Sequence, residues 1–247
     1  MKKFIESFIN VWKIEELKNK ILVTLGILLV YRFGSQVTLP GIDSTKLQSL
    51  SNQTEGGIGW LINVFTGGAF SEASIFALGI MPYISASIVV QLMGIAIPYL
   101  QKLQSDGESG RKTLNQITRW LTIAITLVQG PGYIFNLKQT LPAEAFVNPD
   151  FFTFFPLFGS VLIIVSGTIF AMWLGERITE KGIGNGISLL IMVGILARMP
   201  EAFIQELGTN TGGPMKIIIE VIIWLLVIIA TILLVMALRK VQVQYAR

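Results

Sequence analysis

Five long stretches of the sequence contain no charged residue, and they constrain the fold more than any motif does. They are residues 73–101, 120–137, 151–175, 182–197 and 221–238. A helix needs about 20 mostly apolar residues to cross the hydrocarbon core of a bilayer, and these stretches meet or approach that length. Only 14% of the residues are charged, whereas a water-soluble domain usually has about a quarter. The sequence therefore predicts an all-α, polytopic membrane protein.

We expect six transmembrane helices and one shorter apolar segment. Residues 58–70 are apolar but too short to cross a membrane, and their glycines suit a re-entrant or half-buried segment. Arg32 interrupts the first span, and we expect its side chain to snorkel to the nearer, outer surface. Pro82 removes a backbone hydrogen bond and should loosen the start of the second span. The predicted spans cover about residues 21–39, 75–99, 120–137, 152–174, 183–199 and 217–238.

The distribution of positive charge predicts the topology. With the N-terminus inside, most of the 19 Lys and Arg residues lie on the cytoplasmic side, as the positive-inside rule requires. The net charge of +4 is then a topology signal and does not indicate nucleic-acid binding. In chain order we expect a cytoplasmic amphipathic interfacial helix at 1–20, the first span and an external loop at 21–57, the short apolar segment at 58–72, spans two to five at 73–199 with cytoplasmic loops near 101–119 and 175–186, an external loop and the sixth span at 200–238, and the start of a cytoplasmic loop at 239–247.

The sequence contains neither cysteine nor histidine. Disulfides, Cys/His zinc sites and His-assisted nucleophilic catalysis are therefore excluded for these residues. An intramembrane hydrolase would need a Ser–Lys or paired-Asp site, and no lysine or aspartate lies within a predicted span. A small-solute secondary transporter would also have glycine-broken helices, but spans two to five hold no carboxylate that could couple transport to an ion. These two classes and an assembly scaffold stay open at this point, and we expect no catalytic residue, metal or cofactor.

Two glycine-containing motifs have a structural explanation. Residues 182–186 (GIGNG) lack the spacing of a nucleotide-binding loop and follow no predicted strand, so we expect a tight turn into the fifth span. Residues 107–110 (GESG) place a serine beside an acid, but no histidine exists to activate that serine. We expect a polar hairpin between the second and third spans there.

One long sequence motif and several shorter ones occur in an order that resembles a known family. The long segment is residues 73–87 (ASIFALGIMPYISAS), and the shorter ones are 39–43 (LPGID), 65–69 (FTGGA), 107–111 (GESGR), 172–176 (MWLGE) and 182–188 (GIGNGIS). Together and in this order they resemble the SecY family, the channel subunits of the bacterial protein translocon. That family has ten spans in two inverted halves. The resemblance implies that these residues are one half of an inverted-repeat channel, the N-terminal half, plus the sixth span.

The resemblance also implies a function and the residues that carry it. In the family, the channel passes unfolded secretory polypeptides and releases apolar segments sideways into lipid through a lateral gate. A short plug before the second span closes the channel from outside, and a ring of aliphatic side chains resists wetting and ion passage. The corresponding residues here are the pore ring Ile80, Ile84 and Ile191; the plug residues Ile58, Asn63, Phe65, Gly67, Gly68 and Phe70; the lateral-gate residues Ser85 and Gln129; and the cytoplasmic partner contacts Arg111, Lys112, Arg177 and Lys181.

By the same resemblance, we expect the chain to lie in the cytoplasmic (inner) membrane of a bacterium. The expected partners are SecE and SecG, the motor ATPase SecA or a ribosome, the translocating polypeptide and membrane lipid, with no nucleic acid other than ribosomal RNA. The rest of the pore ring and the second wall of the lateral gate lie outside this sequence. We therefore expect a truncated or cleaved subunit, or part of a longer chain, which does not conduct polypeptide alone.

Overall fold

The computed structural model describes residues 14–47, 57–148, 150–208 and 213–245. Within them the chain forms eight α-helices and no β-strand, which confirms the all-α prediction. The expected interfacial helix at residues 1–20 falls largely outside the described residues. The helices are α1 (Glu15–Gly34), α2 (Gly57–Phe65), α3 (Met81–Ala96), α4 (Pro98–Ser105), α5 (Gly107–Thr140), α6 (Phe154–Lys181), α7 (Gly186–Gly208) and α8 (Gly213–Tyr245).

Not every predicted span is a single long apolar helix. By length and composition alone, α6 is the one helix in the described part that could cross a membrane by itself. The helices α3 and α4 pass the same test together, but they are bent by 103°. Shorter apolar stretches lie at Gly186–Pro200 and Val221–Met236. The count of six spans therefore stays a prediction.

Two prolines explain where α3 begins and ends. Pro82 lies in the first turn of α3, where its missing N–H would have no intrahelical acceptor, so it favours a helix start. The expectation that it loosens the span was wrong for this reason. At the other end, Ile97 is extended, with φ −105° and ψ 115°, because the following Pro98 disfavours helical geometry in the residue before it. The predicted second span, residues 75–99, is thus helical from Met81 to Ala96, and its last two residues already belong to α4.

Residues up to Arg198 form one compact unit, and residues from Met199 form a second. In the first unit, α5 packs against α3, α4 and α6, and α1 packs against α6. The GESG motif lies where the chain reverses between α4 and α5, and Gly110 packs against the carbonyl group of Leu103. The expected cytoplasmic loop at 101–119 is therefore largely helical. The second unit contains α8, whose described apolar side chains are exposed.

Two apolar clusters hold the first unit together. One combines α5 and α6 with the loop residues Leu39, Ile42 and Phe151. The other combines Tyr31 of α1, Ile178 of α6 and Leu190 of α7 with residues that precede α3. The segment between α2 and α3 contributes to both clusters, through Phe70 to the first and through Ala69 to the second.

Candidate functional site

The chain between α2 and α3 folds into a compact turn at Thr66–Ser74, which we call the glycine turn. Gly67 and Gly68 have φ values of +64° and +96°, a region that glycine enters without the steric penalty a side chain brings. Every residue of the turn except Glu72 is buried. Asn63, two residues before the end of α2, accepts a hydrogen bond from the Ser71 N–H at 3.0 Å. The glycine turn is therefore folded back onto the end of α2.

Three helices bind the glycine turn through long side chains. Arg32 of α1 donates a hydrogen bond from Nη1 to the Gly67 carbonyl oxygen at 2.8 Å. Arg198 of α7 donates from Nη2 to Ser71 Oγ at 2.8 Å. Tyr133 of α5 donates its hydroxyl to the Phe70 carbonyl oxygen at 2.8 Å. The turn, which lacks regular secondary structure, thus has some of its backbone polar groups satisfied by side chains from α1 and α5.

Glycines let the turn approach α7 at backbone distance. A Cβ atom on Gly67 would lie 2.7 Å from the Cα of Gly194 in α7. A Cβ atom on Gly68 would lie 2.7 Å from the Arg198 guanidinium. No larger residue fits at either position without a shift of its neighbours, so both glycines are required by close approach as well as by positive φ.

The structure brings two of the three predicted ring residues together. Ile80 is buried and precedes α3, and its carbonyl oxygen accepts a hydrogen bond from the Ile84 N–H at 3.1 Å. Ile80 and Ile84 belong to the same apolar cluster as Ala69 and Leu190. The third residue, Ile191, is half-buried and is not a member of that cluster. It lies three and seven positions before Gly194 and Arg198, so it shares a face of α7 with the two residues that contact the glycine turn.

The predicted plug residues lie in α2 and the glycine turn. Besides Asn63, Gly67 and Gly68, these include Phe65, which is half-buried at the end of α2. Phe70 is buried and packs its ring 4.9 Å from the ring of Tyr133. Ile58 lies in α2, but its side chain is outside the described part of the structure.

The two predicted lateral-gate residues lie on neighbouring helices. Ser85 of α3 and Gln129 of α5 are both exposed, and α3 and α5 pack against each other. Within the described residues, no hydrogen bond joins the two side chains. Both side chains are therefore on the surface of this helical unit, where another protein segment or lipid can contact them.

The predicted partner-contact cations lie near helix ends. Lys112 of α5 pairs with Glu108 at 3.0 Å, and Arg177 of α6 pairs with Glu180 at 3.3 Å. Both are short-range pairs within one helix, which contribute about 0.3–0.5 kcal/mol at most. The two other predicted cations, Arg111 and Lys181, are exposed.

Sequence reasoning missed Arg198 and Tyr133, and it missed the contact that Arg32 makes. Arg32 is half-buried and binds the Gly67 carbonyl oxygen, and its position at the outer surface stays a prediction. Arg198 immediately follows a charge-free stretch, and a cation so close to an apolar helix was the available signal for it. A further unpredicted pair joins α5 to α6, since Arg119 binds both carboxylate oxygens of Glu176 at 3.0 and 2.7 Å.

The side chains around the glycine turn hold its backbone in place and cover it. Within the described residues, no group of three His, Cys, Asp or Glu side chains could hold a metal ion. The hydrogen-bond donors at the glycine turn are guanidinium and phenol groups that bind neutral oxygens. Irregular backbone that is buried between helices occurs in helical membrane proteins, in which such backbone must be buried in protein or line a cavity.

Comparison with known proteins identifies the family. The family model described as SecY matches residues 74–247. The chain therefore belongs to the SecY family of membrane translocase subunits, and the resemblance drawn from the motifs is confirmed. The match begins at Ser74, the last residue of the glycine turn.

Bacterial relatives carry the same family name and are similar along most of the chain. The protein translocase subunit SecY of Buchnera aphidicola subsp. Schizaphis graminum is 40% identical over 252 residues, which cover 100% of this chain and 57% of the relative. The SecY subunit of Escherichia coli K12 is 41% identical, with 94% of this chain and 53% of the relative covered. That of Haemophilus influenzae is 42% identical, with 94% and 52% covered. The chain thus spans about half the length of the relatives it matches.

Proposed function

We propose that this chain is the N-terminal part of a SecY-type protein-conducting channel and supplies one of its two walls. In this proposal, it contributes six of ten spans, with its N-terminus in the cytoplasm of a bacterium and its helices in the inner membrane. The family membership, the half-length coverage and the charge-free stretches support it. The channel passes unfolded secretory polypeptides and releases apolar segments into lipid, and it does no covalent chemistry itself.

Contacts along α1 support the alternating topology. Thr24 of α1 accepts a hydrogen bond from the N–H of Ile183, in the turn expected at the cytoplasmic side. Arg32, two turns further along α1, binds the glycine turn, which is expected at the outer side. A helix that runs from a cytoplasmic turn to an outer turn is what the N-in topology requires.

In the proposed channel, α2 and the glycine turn are the plug, and Ile80, Ile84 and Ile191 are this chain's share of the pore ring. The observation that carries the proposal is the burial of the glycine turn between α1, α5 and α7, with Ala69 in the same apolar cluster as Ile80 and Ile84. An apolar constriction resists wetting, and a plug packed beside it closes the remaining opening.

The exposed residues of the site suit contacts with other parts of a translocon. Ser85 and Gln129 would line the lateral gate, opposite a wall supplied by residues outside this sequence. Arg111, Lys112, Arg177 and Lys181 would meet an acidic or phosphate-rich surface of a cytoplasmic partner, for which SecA and the ribosome are the family's candidates. SecE and SecG would complete the membrane complex.

A cross-linking experiment on the full translocon tests the function. These 247 residues contain no cysteine, so Ile84→Cys introduces a single thiol into this part of the subunit. We expect it to form a disulfide with a cysteine in a secretory polypeptide arrested during translocation. The matched control is Leu162→Cys, on a 44% exposed position of α6, which should not react. Translocation without any cross-link at Ile84 would show that this residue does not line the pore. Failure of the complex to translocate would disprove the function.

A further inference from the structure

Two half-buried arginines bind the glycine turn through neutral oxygens. Arg32 and Arg198 are both partly covered by the first unit, and within the described residues neither forms an ion pair. Placing a cation at an apolar site without a counter-charge is costly. Within the described residues, the hydrogen bonds to the glycine turn are what compensates these two half-buried cations.

The two guanidinium groups come from different helices and bind opposite ends of one short segment. Arg32 extends from α1 to Gly67, and Arg198 extends from α7 to Ser71. Tyr133 binds Phe70 between these points from a third helix. If the turn moves away from either helix, the arginine of that helix must lose its acceptor, because both acceptors belong to the same folded turn.

We propose that Arg32 and Arg198 are positioning residues that hold the plug closed, and that the plug cannot leave its site until these two contacts break. This inference rests on the proposed function of α2 and the glycine turn as a plug. The contacts suit release, since a guanidinium group that leaves a neutral oxygen is rehydrated and leaves no unpaired charge behind on the turn.

The direct test is made in the complete translocon. It removes the donor of each arginine contact and, for Arg198, also the acceptor. Arg198→Gln and Arg32→Gln take away the charged donors, and Ser71→Ala removes the acceptor of Arg198 by a change too small to prevent folding. Hydrogen bonds to charged groups are the stronger class, so we expect each variant to raise the ion leak of the idle channel about tenfold to a hundredfold. The control is Lys46→Gln, since Lys46 also binds a carbonyl group, that of Glu144 at 3.2 Å, but does not touch the glycine turn.

A second readout follows the plug itself. Ile62 of α2 is half-buried against the first apolar cluster, so Ile62→Cys should react slowly with a membrane-impermeant maleimide added from outside. We expect Arg198→Gln and Ser71→Ala to accelerate this reaction about as much as they raise the leak, and Lys46→Gln to leave it unchanged. The effect of the double variant Arg198→Gln/Ser71→Ala should be smaller than the sum of the two single effects, because both changes remove the bond between Arg198 and Ser71. Ser71→Ala also removes the hydrogen bond from Ser71 to the Gly68 carbonyl oxygen, so its single effect should be the larger of the two.

The outcomes separate this role from the function on which it rests. A complex that translocates but shows unchanged leak and maleimide reaction in Arg198→Gln and Ser71→Ala would overturn the positioning role and leave the channel function intact. Fully additive effects in the double variant would also overturn it, since the two side chains would then act independently. A wild-type complex that does not translocate would overturn the channel function itself.

Discussion

Two glycine-rich turns of the first unit contact the same helix, α1, and they are held in different ways. At the glycine turn, the side chain from α1 is Arg32, a long and flexible donor that binds the Gly67 carbonyl oxygen. At the GIGNG turn, residues 182–186, it is Thr24, a short hydroxyl that accepts from the Ile183 N–H. The first contact can lengthen and break without moving the backbone of α1, whereas the second cannot.

The surroundings of the two turns strengthen this contrast. In the GIGNG turn, Thr179 of α6 accepts a hydrogen bond from the Gly186 N–H at 2.9 Å, and Gly186 packs directly against the carbonyl group of Gly175. This turn is thus a fixed corner that sets the angle between α6 and α7. The glycine turn also lies close to a helix backbone, at Gly194 of α7, and is bound by the Tyr133 hydroxyl, but its contacts with α1 and α7 include the long side chains of two arginines. We infer that one glycine-rich turn maintains the architecture and the other is built to be released.

The largest effect is expected at the fixed corner, from Gly186→Val. The new side chain would meet the Gly175 carbonyl group, so α6 and α7 would have to move apart. Overpacking of this kind destabilises by about 3 kcal/mol, enough to prevent accumulation of the complex or to lower its midpoint of thermal unfolding by several degrees. The control is Gly26→Ala in α1, where a Cβ atom meets nothing within 4 Å. Normal assembly of Gly186→Val would contradict the description of this turn as a fixed corner.

A smaller loss of stability is expected from Thr24→Val. The substitution keeps the shape of the side chain but leaves the Ile183 N–H without its acceptor, which destabilises by about 1–3 kcal/mol. Thermal unfolding of the purified complex measures this loss. The idle ion leak should stay at the wild-type level, in contrast to Arg32→Gln on the same helix. A raised leak in Thr24→Val would mean that the two turns do not have separate roles.

The next effect concerns the start of α7. Asn185 Oδ1 accepts a hydrogen bond from the Ser188 N–H at 3.1 Å, the contact of a helix N-cap. Asn185→Ala should reduce stability by about 1 kcal/mol, and Asn185→Asp should restore most of it. Both are read from the thermal midpoint. Equal stability of Asn185→Ala and wild type would show that this cap does not help to fix the corner.

The sequence was informative where a feature is local and uninformative where it depends on distant contacts. Charge-free stretches predicted the helical class, and the spacing of glycines at 182–186 predicted a tight turn, which the structure confirms. The bend at Pro98 was missed, although the proline itself was visible, because proline can end a helix or only kink it. The contact of Arg198 with Ser71 joins residues 127 positions apart, and no local pattern reports on such a pair. The candidate site was therefore located by family resemblance, while its arginines required the fold.

The smallest change in stability is expected from Gly194→Ala. This variant also distinguishes most clearly between the roles of the two turns. A Cβ atom on Gly194 would lie 3.0 Å from the Phe65 carbonyl oxygen and 3.3 Å from the Gly67 N–H nitrogen. These contacts require a shift of a few tenths of an ångström, which the glycine turn can make more easily than α7. Alanine also favours a helix interior over glycine by about 0.5–1 kcal/mol, so the thermal midpoint should stay near that of wild type.

The glycine turn should nevertheless be held less firmly in Gly194→Ala. We expect Ile62→Cys to react with the impermeant maleimide several-fold faster than in the wild-type background, and less fast than in Arg198→Gln, because the arginine contacts remain. Gly132→Ala in α5 is the control, since a Cβ atom there meets nothing within 4 Å. If Gly194→Ala lowered the thermal midpoint as much as Asn185→Ala and left the maleimide reaction unchanged, the α7 face at Gly194 would belong to the fixed architecture. The arginines would then be the only part of the glycine turn's surroundings that is built for release.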